Sequence, residues 1–450
     1  VPDTIAGIAT AMGEGGIAIV RISGDHAVSV FSEVFRASAH KPPYPDHLLM
    51  HGRIVEQNNR TVDEAMGVVM HAPHSYTRED VCELHTHGGY AAASLVMNLL
   101  TACGARPAEA GEFTRRAFMN GRIDLAQAEA VMGVIGARSA AALKSQEAML
   151  AGGTSRYLRD IQTKLIRLIA GVEAYIDYPE EIEETEATHA LESGLTDLTQ
   201  TLHSITDERS ARIVRQGLRV ALCGSPNTGK STLFNALLSE ERAIVTDVPG
   251  TTRDVLEGSF SLNGFQVWLM DTAGIRASDD VVEQIGVQRA KQVIDTADVA
   301  LLLIDATKPL NADEQQLLCA DRQCPCAVLL NKEDKPPIIT ADDIAAVSSY
   351  TPVFSVSAKN GTGIKQILDY LAGFLAQPRE DMLTHQRHMA LAEQAADKLS
   401  QALCSLQSGV QLDLIAVDLR EALWLLGRIT GESVDDKLLD EIFASFCVGK

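Results

Sequence analysis

Residues 224–231 read Gly224-Ser-Pro-Asn-Thr-Gly229-Lys230-Ser231, the pattern G-x-x-x-x-G-K-[ST]. Glycines at those positions let the backbone approach a ligand closely, and main-chain N–H groups at a following helix N-terminus can cradle phosphate oxygens. Lys230 would offset charge at the β- and γ-phosphates, and Ser231 offers a hydroxyl to Mg²⁺. Asp271-Thr-Ala-Gly274 follows 40 residues after Ser231, where an acid near Mg²⁺ and a glycine N–H near a γ-phosphate would be needed. These are the parts of a phosphoryl-transfer site.

The elements around these residues are legible in outline. An apolar run precedes the loop and the helix pattern Thr232–Leu238 follows it. Further strand-like runs at 299–304, 327–330 and 353–356 alternate with helical patterns, the rhythm of a parallel α/β sheet. Asn263-Gly264 between two apolar runs predicts a hairpin and hence an antiparallel edge. Residues 1–118 carry short β-branched runs (17–22, 62–70) and one helical pattern near 91–100, predicting a small α+β domain. From 119 to 213 the Ala/Leu/Ile spacing predicts long helices broken at Gly152-Gly153 and Pro179, and helical spacing resumes over 379–450. The α/β domain, 214–378, therefore reads as an insertion into a discontinuous helical one.

The chain has 450 residues and a formal charge of −21, which disfavours a uniformly basic nucleic-acid coat. The charge is uneven: Glu173–Glu208 holds 11 acidic residues and no Lys or Arg, while Arg138–Arg167 is locally basic. No segment reads as a secretory signal or membrane span, so a cytoplasmic protein is expected. Eight scattered cysteines form no disulfide framework, and Cys324-Pro-Cys326 reads as a loop entering a strand. His85 and His87 lack the further ligands a zinc site would need.

Asn331-Lys332-Glu-Asp334 resembles the guanine-specificity motif of GTPases, in which a carboxylate accepts from the guanine N1 and N2 hydrogens. Ser357-Ala358-Lys359 resembles their fifth motif. With Asn227, Thr228, Gly229, Lys230, Ser231, Thr232, Asp271, Thr272, Ala273 and Gly274, these residues predict binding of GTP and GDP. GTPases commonly place a water-orienting Gln just after the Asp-x-x-Gly, but here the next residue is Ile275. Glu283, 12 residues after Asp271, is the candidate substitute.

The chain as a whole resembles the tRNA uridine-modifying GTPase family MnmE, also called TrmE. The marks are Asp3-Thr-Ile5, Gly15 to Gly24, Gly88-Gly89 after Glu83, Gly111-Glu-Phe113, Asp124 to Glu129, Pro226-Asn227, Gly250-Thr-Thr-Arg-Asp254, Asp271 to Arg276 and Phe446-Cys-Val-Gly-Lys450. Val448 stands where the family usually has Ile, and Arg122 where some relatives have Lys; both preserve the chemistry. The resemblance implies an N-terminal domain that forms a homodimer and binds a 5-formyl- or methylene-tetrahydrofolate, a helical domain in two segments, and an inserted Ras-like G domain.

By matching positions, Thr246, Asp247, Val248, Pro249, Gly250, Thr251 and Thr252 would join the nucleotide site. Asn227, Thr246, Val248 and Thr251 would hold K⁺, and Ser231 and Thr252 would hold Mg²⁺. Arg21, Glu83, Arg122 and Lys450 would bind the folate, and Glu283 and Cys447 would be catalytic. For Arg253, an ion-paired switch residue is the simpler reading than an arginine finger. The implied activity is hydrolysis of GTP to GDP and phosphate. With a flavin-dependent partner (MnmG, also called GidA, carrying FAD), it would add an aminomethyl or carboxymethylaminomethyl group to C5 of the wobble uridine of certain tRNAs. A regulatory switch GTPase would share the nucleotide motifs, and only the N- and C-terminal signatures separate the two. The basic stretch 138–167, with Arg115 and Arg116, is the expected tRNA-facing surface.

Overall fold

The computed structural model describes residues 3–181, 183–240, 256–271, 296–319, 324–348, 352–375 and 382–449. It divides into two compact units, one of residues 1–135, 148–202 and 390–450, the other of 136–147 and 203–389.

The first unit contains a seven-stranded sheet in the order β3-β4-β5-β6-β2-β1-β7. Its strands are β1 (Ile5–Ile8), β2 (Ile17–Ser23), β3 (Phe35–Ala37), β4 (Met50–Val55), β5 (Thr61–Met70), β6 (Val81–His87) and β7 (Arg106–Pro107). All neighbours are antiparallel except β1 and β7. Side chains alternate along a strand, so Ala18, Val20 and Ile22 of β2 are buried while Arg21 points to the opposite face. In β6 the same alternation buries Leu84 and turns Glu83 and His85 to Arg21's side. On the core face, the helices Ala27–Val34 and Tyr90–Ala102 supply Val30, Phe31, Val96 and Leu100 to a cluster with Val20, Ile22 and Leu84.

The helical part of this unit includes Gly153–Asp177 and Leu412–Thr430, which pack together. Leu158, Ile161, Leu165, Ile169 and Val172 recur every three or four residues and form the buried stripe of the first. That helix starts after Gly152, whose φ of +80° suits glycine, and stops before Pro179. Asp435 caps the following helix Asp436–Ala444 by accepting from the Leu438 N–H at 2.8 Å. Phe443 of that helix lies 5.2 Å from Phe446, seating the start of the C-terminal tail.

The second unit is built on a six-stranded sheet in the order β13-β12-β11-β8-β10-β9. Its strands are β8 (Leu218–Cys223), β9 (Leu256–Leu262), β10 (Phe265–Asp271), β11 (Val299–Asp305), β12 (Cys326–Asn331) and β13 (Val353–Val356). Only β9 runs antiparallel, joined to β10 by Asn263 (φ +51°) and Gly264 (φ +82°), the expected hairpin turn. The parallel strands are buried on both faces. Leu222, Leu301, Leu303 and Leu329 meet Leu233, Leu237, Ile364 and Ile367 on one side. Cys223, Leu302, Ile304 and Leu330 meet Leu318 and Ile344 on the other. Such two-sided burial explains why β8, β11 and β12 read as continuous apolar runs. Among the described residues, no helix is long and apolar enough to cross a membrane.

Candidate functional site

The carboxyl ends of β8, β11, β12 and β13 bring together Gly224, Asp305, Asn331 and Ser357, the edge where open α/β sheets bind ligands. The loop after β8 enters the helix Lys230–Glu240 and uses unusual backbone at Gly224 (φ +149°), Asn227 (φ +65°) and Gly229 (φ +102°). A Cβ on Gly224 would stand 2.4 Å from the Leu303 carbonyl, so the strand beside it admits no side chain. Lys230 is buried, and its Nζ donates to the Gly224 and Ser225 carbonyls at 2.7 and 2.8 Å. The ammonium thus holds the loop in shape and lies at the helix N-terminus that suits a phosphate.

Asn331, also buried, ties three segments together. Its Nδ2 donates to the Thr228 carbonyl at 2.7 Å, and its Oδ1 accepts from the Ala358 N–H at 3.0 Å. Ser357 Oγ donates to Asp334 Oδ1 at 2.8 Å, and that bond holds the carboxyl below its ordinary range. Lys332 donates to Asp305 Oδ2 at 2.6 Å and to the Asn227 carbonyl at 3.2 Å. Thr232, Ala358 and Lys359 line an adjoining cavity of about 360 Å³.

A second constellation lies on the outward face of the seven-stranded sheet. Arg21 and Glu83 are directly opposite in the β2–β6 register, and Arg21 Nε donates to Glu83 Oε1 at 2.8 Å. Burial pushes the Glu83 carboxyl up, but His85 at 3.2 Å and Arg21 outweigh it and hold it below the usual range. The Arg21 guanidinium lies over the rings of Tyr76 and Phe113, and Arg122 lies 4.8 Å from the Tyr76 ring centre. The chain end docks here. Val448 bridges to Ala110, the Gly111 N–H donates to the Cys447 carbonyl at 3.3 Å, and Arg21 Nη1 reaches the Gly449 carbonyl at 3.5 Å. Cys447 itself is exposed.

Two family models match the chain. "GTP-binding protein TrmE N-terminus" covers residues 4–122, and "MnmE helical domain" covers 125–447. The chain is 40% identical over 457 residues to the tRNA modification GTPase MnmE of Lactiplantibacillus plantarum, covering 100% of this chain and 98% of that relative. It is 41% identical over 458 residues to that of Geobacillus kaustophilus, covering 100% and 99%. The chain belongs to the tRNA modification GTPase MnmE family. As a member of that family it combines the N-terminal TrmE domain and the MnmE helical domain, and it is a GTPase.

Of the residues that MnmE resemblance assigns, Asn227 to Thr232, Asn331, Lys332, Asp334, Ser357, Ala358 and Lys359 lie around one sheet edge, and Asp271 closes β10 beside β8. Arg21, Glu83 and Arg122 lie around Tyr76 with the tail that carries Cys447. Thr246 to Thr252, Thr272, Ala273, Gly274, Glu283 and Lys450 fall outside the described residues.

From sequence, Tyr76 and Asp305 carry no site role and Phe113 stands only within a family mark; for Asp305 there is a cue, a charged residue ending an apolar run. Arg116 proves to be a packing residue: it is 14% exposed and bonded to Asp3, Glu79 and Glu112. Arg115 pairs with Asp440 at 2.9 Å, and Arg159 faces Asp124 and Glu432 at 3.3 and 3.7 Å. Arg115, Arg116 and Arg159 are thus each paired with carboxylates brought in by the fold.

The loop geometry carries a prediction. At Gly229 a Cβ would lie 2.3 Å from Asn331 Nδ2, so Gly229→Ala must break the Asn331–Thr228 bond or shift the loop. GDP affinity, read by fluorescent-nucleotide titration, is expected to fall about tenfold or more.

Proposed function

We propose that this GTPase acts in tRNA modification, adding an aminomethyl or carboxymethylaminomethyl group to C5 of wobble uridine together with a flavin-dependent, FAD-carrying partner. Residues 1–118 would form a homodimer and hold the folate, 119–213 and 379–450 the helical scaffold, and 214–378 the GTP site. The observation that carries the covalent half is the docking of Cys447–Gly449 beside Arg21 and Glu83. A switch GTPase with no chemistry of its own has no use for a cysteine-bearing tail whose backbone is seated beside a guanidinium–carboxylate pair.

The donor set fits a folate. Ionised Glu83 can accept from the N3–H and exocyclic amine of a pteridine, Tyr76 offers a stacking face, and Arg122 and Lys450 suit the glutamate tail. When bound, a tetrahydrofolate would supply the one-carbon unit. Arg21 keeps Glu83 ionised and oriented, and Cys447 serves as a nucleophile or acid at the same face. In the G domain, Lys230 offsets phosphate charge, while Ser231 and Thr252 suit Mg²⁺, a hard cation that takes oxygen ligands. Asn227, with Thr246, Val248 and Thr251, is suited to hold K⁺ where charge develops between the β- and γ-phosphates. Glu283 orients the attacking water.

The deciding experiment is mass spectrometry of wobble uridines from cells lacking the chain and from cells carrying Cys447→Ser. Loss of the C5 modification in both supports the proposal. Intact modification in both, with no binding of 5-formyl-tetrahydrofolate by purified protein, would leave the switch reading. GTP turnover is expected to be faster in K⁺ than in Na⁺; equal rates would remove the cation role of Asn227. Glu283→Ala is expected to abolish turnover while sparing GTP binding.

A further inference from the structure

Asp305 ends β11 directly opposite Asn331 of β12 in the parallel register, and its side chain is 7% exposed. Every residue before it in the strand, Val299 to Ile304, is buried and apolar. A carboxylate in such a place must be satisfied locally. Oδ1 accepts from the Thr307 N–H at 3.1 Å and from its Oγ1 at 2.6 Å. Oδ2 takes the Lys332 ammonium at 2.6 Å. Burial would raise the Asp305 pKa, but these bonds outweigh it and keep the group ionised.

Lys332 does more than neutralise it. Its backbone is at φ +73°, a conformation that non-glycine residues hold only where the surroundings enforce it. The same ammonium donates to the carbonyl of Asn227, a second non-glycine residue at positive φ (+65°). Asp305, Lys332 and Asn227 thus form a chain from a strand end buried in the core to the phosphate-binding loop.

We propose that Asp305 is a positioning residue of the nucleotide site: it clamps Lys332, and through Lys332 fixes the Asn227 carbonyl, so that the base-binding and phosphate-binding loops share one geometry. The proposal rests on the guanine-nucleotide reading of that site and adds to it a residue that touches neither base nor phosphate. Replacing the carboxylate by an amide of the same shape keeps an acceptor for Thr307 but presents a neutral group to the ammonium. Lys332 then has no charged partner to hold it across the site.

The test is titration of the full chain with a fluorescent GDP analogue. Asp305→Asn is expected to weaken binding about 10- to 50-fold, with the loss falling on KM rather than kcat, and Asp305→Glu should recover part of it. Added to Lys332→Met, the same change should cost less than about twofold, because its route is already cut. Thr307→Val removes a bond from the same carboxylate without touching Lys332, so it should lower Tm and leave GDP affinity within about twofold. Wild-type affinity in Asp305→Asn overturns the proposal. So does a full loss on top of Lys332→Met, or an equal loss in Thr307→Val, which would mark general weakening of the strand end. A wild-type chain that binds no guanine nucleotide would overturn the underlying reading as well.

Discussion

Asp334→Asn is expected to weaken GTP and GDP binding by ~10²-fold or more and to turn the preference toward xanthine nucleotides. Guanine presents two donors on one edge, the N1–H and the 2-amino group, and a carboxylate offers two acceptors to match them. The Ser357 hydroxyl at 2.8 Å leaves the rest of the Asp334 carboxylate available and keeps it ionised. An asparagine has one acceptor and one donor, so it faces the guanine 2-amino group with an N–H or leaves N1–H unpaired. Xanthine carries a carbonyl at C2, which converts that mismatch into a pair. Competition of GDP and XDP for the same site measures the exchange. Unchanged GDP preference in the variant would mean that Asp334 does not read the base and that the assignment of residues 331–334 is wrong.

That site was legible because its residues sit in short segments whose spacing reflects the turns they make. Gly224 and Gly229 occupy positive-φ positions within eight residues of sequence, and Asn331 to Asp334 follow directly from a strand. Asp305 was not legible in the same way. Its partner Lys332 is 27 residues away, and nothing local to either residue announces a bond that the β11–β12 register creates. Arg21 and Glu83 show the same limit at 62 residues' separation, where only the family resemblance gathered them. Arg115 and Arg116 show another limit. Neighbours on a helix point about 100° apart, so the run of two bases carried no information on which one faces the core. In the helix Glu112–Met119 it is Arg116, and the surface role expected for it gives way to a structural one.

Arg116→Ala is accordingly expected to unfold the N-terminal domain more readily, with no specific loss of RNA contact. The guanidinium meets Asp3 Oδ1 at 2.7 Å, Glu112 Oε1 at 3.0 Å and Glu79 Oε2 at 3.1 Å, and donates to the Asp3 carbonyl at 2.8 Å. Arg106 supplies a second guanidinium to Asp3 and Glu112, so those two carboxylates keep a cation in the variant. Glu79 does not. It is 17% exposed and would retain a hydroxyl donor, Ser23 at 2.7 Å, against its full charge. Removing one partner from such a half-buried pair costs about 1–3 kcal/mol, a sizeable share of the ~5–15 kcal/mol that holds a typical domain together. Thermal unfolding at pH 7 should show Tm lower by ~5–15 °C.

Arg116→Lys should fall between, because a point ammonium cannot reproduce the guanidinium's fork of donors toward three carboxylates. Acid titration separates the network from generic destabilisation. Bonds from Arg106, then Arg116, pull Asp3 down to about 2, and Glu112 is also lowered despite its burial. Both groups titrate lower folded than unfolded, so their contribution is complete above the unfolded pKa values, near pH 4–5, and is lost as pH falls through the folded ones. In Arg116→Ala the folded pKa values move back toward the unfolded ones, and the loss of stability between pH 5 and pH 2 should be shallower than in the wild type. An unchanged Tm with reduced tRNA affinity, measured below the unfolding range, would return Arg116 to the surface.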